Sequence, residues 1–227
     1  MNNVFGRIQP VFEWIVNLAV LNITWLVFIL PLAYLSLLLV LVESTSQVFM
    51  LLITILVLSP FLLFPATTAM FGVVRKWFMK EEIKIVQSFW KFYKENYKRS
   101  LFGGLFLSFL WLVGIVDYLY IKSNVSFVNY FVLFILAFLF LYTLYFFSDT
   151  VHTESKLKQS LKNVLIMTVA NPIFSFGIVL ISIFIVYVSF TYLPFLIILF
   201  TGPSIAILGF YGYQKVFTTG IRYTRTE

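Results

Sequence analysis

The chain has 227 residues, of which 61% are hydrophobic, 20% aromatic and only 11% charged, with a net charge of +7 and no cysteine. Soluble domains carry about a quarter charged residues, so this composition excludes one, and with it a compact basic groove for DNA or RNA. Lack of cysteine excludes disulfides, thiolate catalysis and cysteine-ligated metals.

Mean hydropathy is +0.99, and apolar runs of roughly 20 residues, the length that crosses a bilayer, recur throughout. The expected fold is an all-α integral membrane protein forming one membrane domain over 1–227. The first run, 14–42, is too long for a signal-peptide core and ends without a small-residue cleavage site, so it reads as a retained span. Its length demands a tilt or a bend at Pro31; Asn22 and Trp25 lie in its first half. A polar turn at 43–47 leads into a second span, 48–74, which Pro60 and Pro65 interrupt before Ala66-Thr67-Thr68-Ala69. Two readings stand for this patch. Small residues let helices approach closely, with Thr hydroxyls satisfying carbonyls that proline frees. Alternatively, a broken helix lines a substrate path.

The next segment, 75–100, holds eight of the sixteen basic residues. Ile83, Val86, Phe89, Trp90, Tyr93 and Tyr97 recur at helical spacing, and Lys84, Lys91, Lys94 and Lys98 occupy much of the rest. Tethered between spans, such a segment is expected to form a basic amphipathic helix in the headgroup layer, or to dock on a partner. The candidate docking residues, for partner or lipid, are Arg75, Lys76, Trp77, Phe89, Trp90, Tyr93, Lys94 and Tyr97.

Further spans follow at 101–121, with Gly103, Gly104 and Ser108, and at 127–147. A second polar connector, 148–163, carries Lys156, Lys158 and Lys162. The fifth span, 164–190, contains Asn171-Pro172. A tight turn leads to the sixth, 195–213, with Thr201-Gly202-Pro203-Ser204, and a basic tail. So little loop joins the last two runs that a re-entrant segment is the alternative. Six spans place both termini on one side. Counting them inside puts fifteen of the sixteen basic residues there and leaves Lys122 outside, which the positive-inside rule reads as a cytoplasmic membrane protein with cytoplasmic termini. A weak echo links 65–70 with 203–208, and Asn22 with Asn171, as in a parallel repeat.

Little in the chain suggests chemistry. His152, near Asp149 and Glu154, reads either as a metal site or as a solvated connector. No phosphate-binding Gly-rich loop, His-Glu-x-x-His or nucleophile elbow is present, and one His in a connector rules out a Ser-His-Asp triad within the membrane. Asp117 is the one acid inside a span. It is a functional candidate by default, or it snorkels to water and pairs with Lys122. No enzymatic activity and no cofactor is expected.

Leu21-Asn22-Ile23-Thr24-Trp25, Pro65-Ala66 followed by Arg75-Lys76-Trp77, and Phe89-Trp90 with Tyr93, Asn96 and Tyr97 together resemble the YesL-like family of small bacterial membrane proteins, whose shared domain is of unknown function. One departure is Phe64, where the family usually has Gly. The resemblance covers the first hundred residues; beyond them it rests on hydropathy and Gly202-Pro203. It implies a Gram-positive-type cytoplasmic membrane and, from gene neighbourhood, an accessory role in carbohydrate import beside ATP-binding-cassette permease and ATPase subunits. The alternative function is an autonomous small-solute transporter whose midplane path is lined by Asn22, Pro65, Thr67, Thr68, Asn171 and Pro203. A third reading is a sensor of anionic lipid.

Overall fold

The computed structural model describes residues 2–121 and 126–225, so Lys122 and its expected pairing with Asp117 fall outside it. Every element among the described residues is helical. In order they are α1 (Asn2–Phe28), α2 (Leu30–Leu41), α3 (Thr45–Leu58), α4 (Leu63–Phe78) and α5 (Ile85–Ile121). Then come α6 (Ser126–His152), α7 (Leu157–Ala170), α8 (Pro172–Thr191), α9 (Phe195–Leu199) and α10 (Thr201–Arg225). Hydrocarbon offers no partner for backbone amides and carbonyls, so apolar runs of this length must satisfy them internally as helices.

The expected runs are cut where proline removes an amide donor and crowds the preceding turn. The first divides at Ile29, two residues before Pro31, and the second at 59–62 around Pro60, where α3 and α4 meet at 54°. The fifth divides at Asn171, which Pro172 pushes to φ −136°, ψ 73° because the residue before proline avoids the helical region. The sixth breaks at Phe200, between Pro194 and Pro203. Four helical segments are long and apolar enough to cross a membrane singly: Gln9–Phe28, Ile85–Tyr120, Phe127–His152 and Phe174–Thr191. A fifth arises if α3 and α4 form one bent span. Of the six expected spans, with their bends at Pro31 and Pro60, four are intact membrane-length helices among the described residues and a fifth is the bent α3–α4 pair.

A second departure concerns 75–100. Instead of a separate interfacial helix, Ile85 to Ile121 form one helix of 37 residues, about 55 Å at 1.5 Å per residue. The reason is local: no Gly or Pro stands between Ile85 and Gly103, so nothing interrupts the hydrogen-bond ladder. The chain turns earlier, at Lys80, whose φ of 55° is the one positive value among the described non-glycine residues. There the Glu81 amide donates to the Lys76 carbonyl at 3.1 Å and the Lys80 amide to the Trp77 carbonyl at 3.2 Å. This is a Schellman C-cap with lysine in glycine's usual place.

At the centre lies α4. Its residues from Phe64 to Val74, eleven in a row, are all buried. A helix covered on every side needs neighbours all round; here α5, α6, α10 and α1 surround it. Close approach depends on small residues. A Cβ added at Gly72 would fall inside the Phe92 ring of α5, so that crossing excludes any larger residue. Phe64, the family departure, lies over Gly104 and against Phe147 at 5.4 Å between ring centroids.

Candidate functional site

Three polar features stand out from the apolar packing. The first is the joint where α9 gives way to α10. A helix break strands carbonyls on one side and amides on the other, and within a membrane no water is there to receive them. Asn22 of α1, fully buried, fills this gap. Its Nδ2 donates to the carbonyls of Ile197 and Ile198 at 2.8 and 2.6 Å, and its Oδ1 accepts the Gly202 amide at 3.1 Å. A Cβ on Gly202 would stand 2.6 Å from that Oδ1, so glycine is what allows the amide to come so close. One turn along α1, Trp25 Nε1 donates to Thr67 Oγ1 at 3.1 Å, and neighbouring Thr68 accepts from Ser100 of α5 at 2.8 Å. Pro65 and Pro203 each sit in the first turn of a helix that follows a break. Of the residues expected to line a path, Asn22, Pro65, Thr67, Thr68 and Pro203 are gathered around α4 and its contacts. Asn171 is not; it is exposed at the α7–α8 joint.

The cavity beside this region, about 330 Å³, lies among α3, α4, α5 and α6 and touches Ser59, Thr67, Ser108 and Thr143. Each of these hydroxyls already has a protein partner. Ser59 and Ser108 bond to each other at 2.9 Å, Thr67 takes the Trp25 indole, and Thr143 takes the Trp111 indole at 3.2 Å. Its remaining wall is hydrocarbon and aromatic.

The second feature is a buried ion pair that the sequence reading placed in a solvated connector. Ser148 to His152 belong to α6, and Asp149 is 0% exposed. Arg99 of α5, its side chain 16% exposed, approaches Asp149 Oδ2 at 3.0 Å. Thr153 and Ser160 hydroxyls donate to the same oxygen, and Tyr213 of α10 donates to Oδ1 at 2.9 Å. Arg99 Nη1 also donates to the carbonyls of Thr150 and Thr153, at the negative end of α6 where carbonyls lack helical partners. Four helices, α5, α6, α7 and α10, are tied at this one point. His152 stands edge-on to Phe210, Tyr213 and Phe217. With Asp149 surrounded by donors, the metal reading of His152, Asp149 and Glu154 loses its central ligand, and no cluster of three such ligands occurs among the described residues.

A sequence signal for this pair did exist. Arg99 lies about as far before the end of α5 as Asp149 lies after the start of α6, so antiparallel α5 and α6 bring opposite charges to one level.

The third feature is the basic half of α5, where the expected docking residues separate into two groups. Phe89 is 0% exposed and Phe92 is buried; the Phe28 ring of α1 covers this side, 5.0 Å from Phe89 and 4.8 Å from Tyr93. Trp77, Tyr93 and Tyr97 are half-buried, the last two tilted against each other at 5.6 Å. Arg75 bonds Glu81 at 3.4 Å, and Lys76 reaches the Glu82 carbonyl. Only Trp90 and Lys94 of the eight are exposed, with Lys94 Nζ 5.3 Å above the Trp90 ring. The aromatic face expected to bind a partner is thus the internal seam of the bundle. Its period matched docking and core packing equally well.

These features define an α-helical integral membrane protein in which the polar groups near the helix joints hold helices together. Residues 18–118, which include α4, the Asn22–Trp25 turn and the basic half of α5, match the family described as "Protein of unknown function, DUF624", in agreement with the YesL-like resemblance. The chain is also similar to the uncharacterized protein YteU of Bacillus subtilis (strain 168), at 29% identity over 174 residues. The match takes in 73% of this chain but spans only 65% of that relative's length. No solved structure matches the chain.

Proposed function

We propose that the protein is a non-enzymatic accessory subunit that binds a partner in the bacterial cytoplasmic membrane, in the setting of carbohydrate import that the family resemblance implies. One observation carries this reading. The hydroxyls around the 330 Å³ cavity are all paired with protein groups, so this cavity beside the candidate path offers no free row of hydrogen-bonding groups to a sugar. Asn171, needed for the alternative transporter path, stands apart and exposed. Asp149, the most buried acid, is engaged by four donors, which supports a non-enzymatic role. The charge distribution supports cytoplasmic termini, with the broken α3–α4 and α9–α10 runs adding two crossings to the four that single helices make.

The partner contact lies on the flank of α5, α6 and α8. An apolar crevice of about 610 Å³ opens there between Trp111, Phe140 and Tyr187. Leu180, Phe184 and Tyr187 project beside it as an exposed row. Helices associate in lipid through such close van der Waals fits, so the expected partner is a transmembrane helix of a permease.

The test is photo-crosslinking in native membranes from Phe184 and, for comparison, Trp90. Recovery of a sugar-import permease from Phe184 supports the reading. Sugar flux into liposomes containing the purified protein alone, abolished by Asn22→Ala or Thr68→Ala, overturns it in favour of the transporter.

A further inference from the structure

We propose that the outward stripe of α5 is a binding site for anionic lipid headgroups. Trp90, Lys91, Lys94 and Lys98 follow one another at helical steps and are all exposed, Trp90 to 48%. Glu95 is the one acid among them, and its Oε1 lies 3.9 Å from Lys91 Nζ. Three observations select a lipid surface over an acidic protein.

The first is level. The apolar half of α5 begins at Leu101, so Lys98 stands about 5 Å and Lys94 about 10 Å outside it along the helix. Lys98 and Lys94 therefore stand in the headgroup layer just outside the hydrocarbon, Lys94 Nζ 5.3 Å above the Trp90 ring. The second is charge. Three lysines against one glutamate complement the phosphates of an anionic leaflet, which attract basic residues at this height. The third is composition. Protein interfaces are poor in lysine and anchored by aromatics and arginine. Here the aromatics Phe89 and Phe92 are turned inward, and what faces outward is lysine with a single tryptophan. Lys84 precedes α5 and stands about 25 Å from Leu101 at 1.5 Å per residue, well beyond a Debye length of about 8 Å, and contributes little.

The stripe is distinct from the α8 flank, so the two sites can fail independently. The experiment is native mass spectrometry of the full-length protein in detergent, with phosphatidylglycerol or phosphatidylcholine added. The wild type retains phosphatidylglycerol preferentially. Lys94→Gln with Lys98→Gln lowers that retention roughly 30-fold, at about fivefold per lysine, and leaves phosphatidylcholine unchanged. Lys84→Gln behaves as wild type, and circular dichroism of all variants is unaltered. Unchanged phosphatidylglycerol preference in the double variant overturns the proposal, as does an equal loss for both lipids. Displacement of phosphatidylglycerol by a polyglutamate peptide at lower concentration also overturns it, making the stripe a protein-binding site.

Discussion

Replacing Asp149 by Leu is expected to be among the most damaging single changes in the protein. The carboxylate is fully buried and accepts from Arg99, Thr153, Ser160 and Tyr213. Its loss leaves the Arg99 guanidinium nearly buried, with only the α6 carbonyls and neighbouring hydroxyls for company. Breaking one side of a buried pair costs about 3–5 kcal/mol, because the surviving charge remains out of water. Arg99→Met should cost a similar amount, since Asp149 then keeps its hydroxyl donors but not its counter-charge. The double variant removes both charges at once and is expected to be closer to wild type than either single one, as buried pairs replaced by apolar side chains often are. The assay is reversible SDS unfolding in mixed micelles, followed by tryptophan fluorescence, with the four proteins arranged as a double-mutant cycle. Strictly additive costs, or single-variant losses below about 1 kcal/mol, would falsify the assignment of Arg99–Asp149 as a coupled pair. The residues would then be independent surface-like groups, and the α5–α6–α7–α10 tie would have to come from apolar packing alone.

Asn22→Leu removes three hydrogen bonds at the α9–α10 joint. At about 0.6 kcal/mol for a typical bond within a membrane, it should destabilise by roughly 2 kcal/mol in the same unfolding assay. Gly202→Ala should produce a comparable loss by forcing its Cβ against Asn22 Oδ1, and combining the two should be less than additive. Lys80→Gly relieves a left-handed residue and should stabilise by about 1 kcal/mol; a loss of stability there would mean that the lysine side chain makes a contact worth more than the strain. Phe89→Ala empties a fully buried site and should cost about 3–5 kcal/mol. Trp90→Ala, on the exposed side, should leave the unfolding midpoint nearly unchanged, which makes Trp90 and not Phe89 the residue with which to probe surface binding.

The membrane class and the helix breaks could be read from the sequence because they follow from short-range rules. Apolar length sets the spans, and Pro31, Pro60, Pro172 and Pro203 mark the places where the ladder fails. Asn22 and Gly202 also stood out, as an amide in hydrocarbon and a glycine before proline. Their meeting could not be foreseen, since 180 residues separate them and only tertiary packing brings α1 beside the α9–α10 joint. Asp149 was hidden for a different reason. Polar neighbours on its C-terminal side gave 148–163 the composition of a loop, and composition does not distinguish a solvated acid from one facing an arginine on the adjacent helix.

The basic segment is the sharpest case, because its helical pattern was legible and what covers its aromatic face was not. An amphipathic helix says only that one face leaves water; it does not say what covers that face. In 85–100 the covering surface is the chain itself. Phe28 lies over Phe89, and the glycine at position 72 opens α4 to Phe92. Once those aromatics are satisfied internally, the lysines on the opposite face are what the segment presents to its surroundings. The organising element therefore shifts from the charged stretch to the helix just before it. In α4, small and apolar residues alternate without any charge until Arg75, and that uniformity, weak as a motif, is what a helix enclosed on all sides requires.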